Sequence, residues 1–305
     1  MKNFRRLTGL IAATHTPLKA DGSLNLAQVK PMVDYLERQG VSGLFVCGST
    51  GEGPLLTMDE RRATAEAFCQ AARGRLPAVV HVGHSSLAEG RVLAAHAAKI
   101  GADAIAAIAP YYFKPNSVDV LIDSMAELAS GAPDLPFYYY HIPVLTGVAL
   151  DVADLLRRGP QRIPNLAGVK YTAPTVDELQ IMLALEGGRF DVLFGRDEML
   201  LSGLAAGVRG AVGTTYNYAA PLYRRLIEAF DRGDLAKARE CQIKAVQFIQ
   251  ILLRQQTLAA SKEMMRMVGI DCGPVRLPLV NLKPEQAAQF RRDLEAIGFF
   301  DWGCK

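Results

Sequence analysis

The chain has 305 residues, half of them hydrophobic, a net charge of +3 and five scattered cysteines. This length and apolar content are enough to bury a large core, in one α/β domain or in a domain with an extension. The lack of a basic block argues against nucleic-acid and membrane binding. No run reaches the roughly 20 apolar residues that span a bilayer. An odd number of cysteines without a CxxC pair indicates neither a disulfide framework nor a zinc site.

The first segment, MKNFRRLTGLIAATHTP, begins with basic residues followed by an apolar stretch. Thr14, His15 and Pro17 interrupt that stretch early, which is unlike a signal peptide. Together with the cysteine pattern, this predicts a cytoplasmic protein in a reducing compartment.

Short runs rich in Val, Ile, Phe and Ala then alternate with amphipathic stretches, which is the pattern of repeated βα units. Helical candidates include 26–40, 58–74 and 87–101. The strands are apolar almost throughout, which indicates that both faces are covered and predicts a closed (β/α)₈ TIM barrel. A doubly wound sheet is the rival fold, but no GxGxxG follows the first strand. The eight predicted strands are residues 7–14, 43–49, 78–83, 104–110, 136–142, 166–172, 191–196 and 210–215.

The eight units end near residue 232, so we predict a catalytic barrel over 1–232 and a C-terminal helical extension over 233–305. Three amphipathic stretches predict helices in the extension. A methionine cluster lies within it, and core filling is the favoured interpretation over a partner surface. The three stretches are 235–256, 258–269 and 284–298, and the methionines are Met264, Met265 and Met267.

Lys170 is the most unusual strand residue, because it lies within the apolar run LAGVKYT. An amine held among apolar neighbours loses hydration, and its neutral form is a nucleophile toward carbonyls. This predicts Schiff-base chemistry. A lysine at a strand end with its ammonium in solvent is the common alternative, since buried lysine is rare.

In barrel enzymes the reacting groups lie at the C-terminal ends of the strands, and two polar segments occur there. GSTGEG at 48–53 offers backbone N–H groups and the hydroxyls of Ser49 and Thr50, a combination suited to a small carboxylate. The rival, a phosphate loop, lacks the GxxxxGK[ST] pattern. In PFYYYHIP, alternation places Tyr138 and Tyr140 on one face and Tyr139 on the other, so Tyr140 can shuttle a proton one strand away from Lys170 unless it only fills the core.

The seventh and eighth strands end in FGRDE and GAVGTTYNY, which predicts that Asp197, Glu198 and Thr214 face the same mouth. Carboxylates and hydroxyls in such a cluster can bind a polyol, although acidic residues near a helix start can also serve only the helix dipole. None of the five histidines has a metal-ligand spacing on one helix face, so we predict no metal site. His141, which points opposite to Tyr140, is interpreted as structural.

With these motifs the chain resembles, over almost its whole length, the pyruvate-dependent class I aldolases, a family that includes sialic acid lyases and dihydrodipicolinate synthases. GSTGE, YYYHIP, GVK and GRDE with GAVGTTYNY match in order and spacing. YYYHIPVLTG and LFGRDEMLLSGLAAG are most similar to the animal-type lyases. Synthases usually have an Arg just after the tyrosine motif, whereas Val144, Leu145 and Thr146 follow Pro143 here, which counts against that activity.

The resemblance implies reversible cleavage of N-acetylneuraminate to N-acetylmannosamine and pyruvate, without a cofactor, in a homotetramer. It makes Lys170 the Schiff-base amine and Tyr140 the proton shuttle, with Ser49 and Thr50 holding the pyruvyl carboxylate. It also implies that Tyr112 lies near the active site. Two departures bear on the sugar: Thr214 stands where lyases often have Ser, and Arg196 is inserted among the sugar-binding positions. Those positions are Thr172, Gly195, Asp197, Glu198, Gly213 and Thr214.

Two other functions remain open from the sequence. One is an aldolase or lyase for another 2-keto acid, although Asp197 and Glu198 would repel a substrate with a second carboxylate or a phosphate. The other is a barrel that binds a keto acid for regulation without turnover. The presence of both Lys170 and Tyr140 argues against that function, because binding alone requires neither residue.

Overall fold

Eight parallel strands, each followed by helical structure, close into a ring in which every strand pairs with its sequence neighbours and β1 pairs with β8. The computed structural model describes residues 4–304. This closure confirms the predicted (β/α)₈ barrel and excludes the open, doubly wound sheet. The strands are β1 (Gly9–Ala13), β2 (Gly43–Val46), β3 (Ala78–His81), β4 (Ala104–Ile108), β5 (Phe137–His141), β6 (Leu166–Tyr171), β7 (Asp191–Phe194) and β8 (Gly210–Gly213).

The helices lie outside the ring or follow the barrel in the sequence. Short 3₁₀ helices occur at Leu26–Gln28, Gly53–Leu55, Gly159–Gln161, Leu185–Gly187 and Asp197–Met199. The α-helices are α1 (Val29–Arg38), α2 (Met58–Ala72), α3 (Leu87–Ile100), α4 (Val118–Ala129), α5 (Pro143–Thr146), α6 (Val152–Arg158), α7 (Val176–Ala184), α8 (Leu200–Ala206), α9 (Tyr216–Asp231), α10 (Leu235–Leu253), α11 (Thr257–Met267), α12 (Pro284–Ala296) and α13 (Phe299–Trp302).

The two faces of the strands belong to different apolar clusters. Tyr138 and Tyr140 pack inside the barrel with side chains such as Phe45 and Leu193. Tyr139 packs outside, against the surrounding helices. The alternation predicted for β5 is therefore confirmed, and it follows from the opposite directions of successive side chains along a strand.

The pairing of β5 with β6 brings the two principal candidates together. Tyr140 is the register partner of Lys170 across this pair. Strands β6 and β7 also approach each other closely: a Cβ on Gly168 of β6 would lie 1.8 Å from the carbonyl oxygen of Asp191 in β7. Glycine at this position therefore allows β7 to approach β6, which in turn fixes the neighbourhood of Lys170.

The helices after the barrel share its core. Buried residues of α10 to α13, including Phe248, Met264 and Phe290, pack in one cluster with residues of β1, β2 and α9. Met264 and Met265 are buried, which confirms core filling as the role of these two methionines. The predicted division at residue 232 falls between α9 and α10 and stays a prediction. In residues 4–304, no helix is long and apolar enough to cross a bilayer.

Candidate active site

Lys170 lies inside the barrel, with its side chain enclosed by aromatic rings. The residue is 4% exposed. Its Nζ lies 3.9 Å from the centroid of the Tyr140 ring and 4.3 Å from that of Phe45. The alternative of a solvent-exposed lysine at a strand end is therefore wrong, and the amine occupies a position from which it can attack a carbonyl that enters the barrel mouth.

Tyr140 is held at the rim by edge-on packing. Its ring centroid is 5.6 Å from that of Phe45 and 6.1 Å from that of His81, both nearly perpendicular to it. Within residues 4–304 its hydroxyl makes no hydrogen bond to the protein. A buried phenol with its hydroxyl unengaged beside an amine can exchange a proton with a bound substrate.

His81 forms the wall behind Tyr140 and is neutral. Burial, followed by the charges of Arg61 and Lys170, holds the pKa of His81 well below its ordinary value. Its Nε2 accepts a hydrogen bond from the Ile108 N–H at 3.2 Å, and the Arg61 guanidinium donates to the His81 carbonyl at 2.6 Å. The imidazole therefore adds no positive charge beside Lys170.

The GSTGEG loop follows β2 and reaches across to the end of β8. The hydroxyls of Thr50 and Thr214 lie 2.6 Å apart. The Thr16 hydroxyl donates to the Gly51 carbonyl at 2.6 Å, which fixes the loop backbone beside Thr50. The structure thus brings together two hydroxyls that the sequence assigned to different parts of a substrate, so the predicted carboxylate and sugar regions are adjacent.

Asp197 is buried at the mouth between the ends of β7 and β8. One carboxylate oxygen accepts hydrogen bonds from the Thr215 N–H at 2.9 Å and the Thr215 hydroxyl at 2.6 Å. Burial raises the pKa of Asp197 to about 6, opposed by these hydrogen bonds and helped by the charge of Glu198. A Cβ on Gly213 would lie 2.0 Å from the other oxygen, so Gly213 provides the space that the carboxylate occupies.

Thr172 and Gly195 make a similar pair between the ends of β6 and β7. A Cβ on Gly195 would lie 2.0 Å from the Thr172 hydroxyl oxygen. That oxygen is buried and has no hydrogen-bond partner among the described residues. A buried hydroxyl without a partner carries a free-energy cost that a substrate hydroxyl can relieve.

Arg196 and Glu198 form an ion pair at the outer edge of this cluster. Nε of Arg196 lies 3.1 Å from a Glu198 oxygen, and each side chain is about 30% exposed. Glu198 is thus half-buried with a cation beside it, whereas Asp197 is buried and bonded to hydroxyl and amide groups.

Tyr112 is the one predicted site residue that lies apart from the others. It is 77% exposed in the segment after β4, where its ring packs edge-on against Phe113 at 4.9 Å. The structure of the single chain does not bring it to Lys170. His141 packs outside the barrel with its ring stacked on Tyr171 at 5.3 Å, in agreement with the structural role predicted for it.

Several residues around the site were not singled out from the sequence. Phe45 could have been found by applying the alternation rule to β2, since it faces inward. Arg61 and His81 carried no signal, because both are polar residues buried by packing between elements. Glu52 and Lys262 form a buried ion pair beside the loop although 210 positions separate them in the sequence. Within residues 4–304, no group of three or more His, Cys, Asp or Glu side chains is placed to hold a metal ion.

Comparison with known proteins gives one consistent result. The model of the dihydrodipicolinate synthetase family matches residues 6–297. N-acetylneuraminate lyase of Danio rerio is 44% identical over 90% of this chain and 92% of its own length, and that of Homo sapiens is 41% identical over 98% and 95%. The solved structure of Proteus mirabilis N-acetylneuraminate lyase superposes with a TM-score of 0.94 at 41% identity, covering 97% of this chain and all of the other.

Proposed function

The chain belongs to the dihydrodipicolinate synthetase family, and we propose that it is a carbon–carbon lyase that cleaves N-acetylneuraminate reversibly to N-acetylmannosamine and pyruvate. The observation that carries the chemistry is Lys170, buried in the barrel with its amine over the rings of Tyr140 and Phe45. The names of relatives at 41–44% identity support the choice of substrate.

Lys170 supplies the electron sink. Its neutral amine attacks the C2 ketone of the open-chain sugar acid, and loss of water gives a protonated imine. The aromatic enclosure assists this step, because a site with little water favours the dehydration. When the bond from C3 to C4 breaks, its electron pair moves into the imine and forms an enamine.

Tyr140 handles the proton that this cleavage releases. It accepts the proton of the C4 hydroxyl, directly or through the substrate carboxylate, as C4 becomes the aldehyde carbon of N-acetylmannosamine. Protonation of the enamine at C3 and hydrolysis of the imine release pyruvate and restore the Lys170 amine. The adjacent register of Tyr140 and Lys170 supports this division of labour.

The remaining predicted residues bind the two ends of the substrate. Ser49 and Thr50, with the amides of their loop, hold the carboxylate through hydrogen bonds that are strengthened by its charge. Asp197 and Glu198 accept hydrogen bonds from the polyol, and Thr172 supplies its unengaged hydroxyl. Gly195 and Gly213 leave room for these side chains, and Thr214 links the two regions through its contact with Thr50.

The test combines turnover with trapping. We expect the purified protein to release pyruvate from N-acetylneuraminate in a coupled reductase assay, and borohydride to fix pyruvate covalently to Lys170. Lys170→Ala should abolish both while keeping the circular dichroism spectrum and melting temperature of the folded protein. A folded Lys170→Ala variant that still traps pyruvate would contradict the mechanism.

Two outcomes distinguish the alternatives. Trapping without pyruvate release from N-acetylneuraminate, but with release from another 2-keto acid, would retain the aldolase and change its substrate. Trapping of pyruvate with no turnover of any 2-keto acid in a panel would favour a keto-acid binding protein.

The finer features of the assembly are also proposals. We infer a cytoplasmic homotetramer from the family resemblance. Tyr112, Phe113, Val144 and Leu277 are large apolar side chains that are more than 70% exposed in segments outside the strands, and surfaces of this kind are commonly covered in oligomers. In a tetramer, Tyr112 would lie near an active site through its contact with the neighbouring subunit. Light scattering is the measurement, and a monomer would contradict this assembly.

A further inference from the structure

The backbone of the GSTGEG loop is strained at both of its flanks. Cys47, just before the loop, has φ +59°, and Glu52 within it has φ +54°. A non-glycine residue in the left-handed region is strained, and it keeps this conformation only when the surroundings impose it. A Cβ on Gly53, directly after Glu52, would lie 2.0 Å from the Cys47 carbonyl oxygen, so the loop folds tightly on itself. Such a loop needs support from outside.

A buried ion pair gives that support at Glu52. One oxygen of Glu52 lies 2.7 Å from Nζ of Lys262 in α11, and the two side chains are 1% and 3% exposed. The other oxygen accepts a hydrogen bond from the Arg276 N–H at 3.0 Å, and Lys262 donates to the Pro274 carbonyl at 2.6 Å. Both charges are therefore paired and hydrogen-bonded, which is the condition under which a buried pair is tolerated.

The residue before Lys262 supports the other part of the loop. The Ser261 hydroxyl lies 2.9 Å from Nε2 of His15, and the next residue, Thr16, donates its hydroxyl to the Gly51 carbonyl of the loop at 2.6 Å. Burial, and then the charge of Lys262, lower the pKa of His15 to about 3, so the imidazole is neutral. Consecutive residues of α11 thus support the loop directly, at Glu52, and through the His15–Thr16 segment, at Gly51.

We propose that Glu52 and Lys262 are positioning residues for the substrate carboxylate: their ion pair ties the loop to α11 and holds the Ser49 and Thr50 hydroxyls in the geometry that binds it. The proposal rests on the proposed function, which assigns the carboxylate to these hydroxyls. It also gives the C-terminal helices a part in the reaction, since α11 sets the geometry of a site that it does not line with a catalytic group.

The chain offers a matched control. Arg276 and Glu60 form a second ion pair, at 2.7 Å, between the same C-terminal segment and α2. This pair is half-buried, and it is formed by the Arg276 side chain, whereas Glu52 of the loop is bonded by the Arg276 backbone N–H. Glu60→Gln therefore weakens the attachment of the C-terminal segment while leaving the pair of Glu52 and Lys262 intact.

The experiment measures pyruvate binding in two variants and this control. Glu52→Gln/Lys262→Met removes both charges, so that no unpaired charge stays buried and folding is preserved; Lys262→Arg keeps the charge. We expect the pyruvate concentration that half-saturates borohydride trapping to rise by about 10- to 100-fold in the double variant, the range that a misplacement near 1 Å produces. Lys262→Arg should recover most of the affinity, and Glu60→Gln should bind like the wild type.

The effect should fall on KM more than on kcat, because Lys170 and Tyr140 belong to β6 and β5, which the pair does not contact. Hydrogen–deuterium exchange provides a readout that needs no substrate: amides of residues 48–53 should exchange faster in the double variant than in Glu60→Gln. This readout tests the support of the loop even if the wild type failed to trap pyruvate, an outcome that would overturn the proposed function instead.

Unchanged half-saturation and unchanged loop exchange in the double variant would overturn the proposal. An equal rise in Glu60→Gln would also overturn it, because the effect would then come from general loosening of the C-terminal segment. A fall in kcat as large as the rise in KM would also overturn it, since it would indicate damage to the barrel as a whole.

Discussion

The two ends of the barrel interior each carry a tyrosine on the inward face of β5, but in the part of the chain that the structure describes only one of the two hydroxyls is hydrogen-bonded to the protein. At the closed end, the Tyr138 hydroxyl donates to Asp191 at 2.8 Å, and Asp191 also accepts the Leu7 N–H at 2.9 Å. At the mouth, the Lys170 amine lies over the Tyr140 ring, and among residues 4–304 the Tyr140 hydroxyl has no hydrogen-bond partner. A satisfied polar group contributes to stability, whereas an unsatisfied one is available to a substrate.

Removal of the tyrosine hydroxyl should therefore affect turnover at position 140 and stability at position 138. Tyr140→Phe should lower kcat by about 10²- to 10⁴-fold, the range for losing a proton-transfer group. Tyr138→Phe should leave kcat near the wild-type value and reduce the free energy of unfolding by about 1–3 kcal/mol, because Asp191 loses a buried donor. Steady-state kinetics and denaturant unfolding measure the two effects.

Each variant serves as the control for the other. Trapping of pyruvate should persist in Tyr140→Phe, since Lys170 is intact. Equal losses of kcat in the two variants would remove the distinction between the ends of the barrel, and a fully active Tyr140→Phe would exclude Tyr140 as the proton shuttle.

The second prediction concerns the buried carboxyl at the mouth. Asp197 has an ordinary pKa of 3.8 when unfolded and about 6 when folded. Between these values the unfolded chain has lost a proton that the folded chain keeps, so stability falls as pH rises through this window. The full cost above pH 6 is about 3 kcal/mol. Asp197→Asn should therefore gain stability relative to the wild type as pH rises from about 4 to about 7.

The measurement is the difference in unfolding free energy between wild type and Asp197→Asn across this pH range. Asp59→Asn, which removes a carboxylate at the surface, is the matched control. A difference that does not change with pH would show that Asp197 is not protonated on folding. Loss of N-acetylneuraminate turnover in Asp197→Asn, despite greater stability, would mark the carboxylate as a group kept for the substrate.

Residues of the mouth and of the barrel wall were predictable from the sequence to different extents. The strands were found because burial on both faces leaves near-continuous apolar runs, and Lys170 and Tyr140 because alternation and strand order determine their side of the barrel. The first helix was placed at 26–40, whereas a 3₁₀ turn at Leu26–Gln28 precedes α1 (Val29–Arg38). Helix ends depend on local hydrogen bonds that periodicity does not record.

The sequence could not predict contacts between residues that are far apart in the chain and meet only in the folded protein. Glu52 and Lys262 meet only because α11 folds back onto the barrel mouth. No periodic pattern relates the two positions, and a buried charge is recognised only when its partner is known. The sequence motif predicted that Tyr112 lies near an active site. In the single chain its side chain is exposed, so that prediction depends on assembly.

The smallest predicted effect separates the outer edge of the mouth from its buried part. Arg196 pairs with Glu198 at about 30% exposure, so the pair is worth at most about 1 kcal/mol. Its removal in Arg196→Val should change KM for N-acetylneuraminate by less than about 10-fold and leave kcat unchanged. The lost cation should matter more for a 2-keto acid with a distal carboxylate, which would then face Asp197 and Glu198 unshielded. We expect the ratio of kcat/KM values, anionic over neutral substrate, to fall about five-fold in low salt and less in high salt, with Arg196→Lys close to wild type. A ratio unaffected by Arg196→Val would mean that selectivity is set deeper in the mouth, by Asp197 and the narrowing methyl of Thr214.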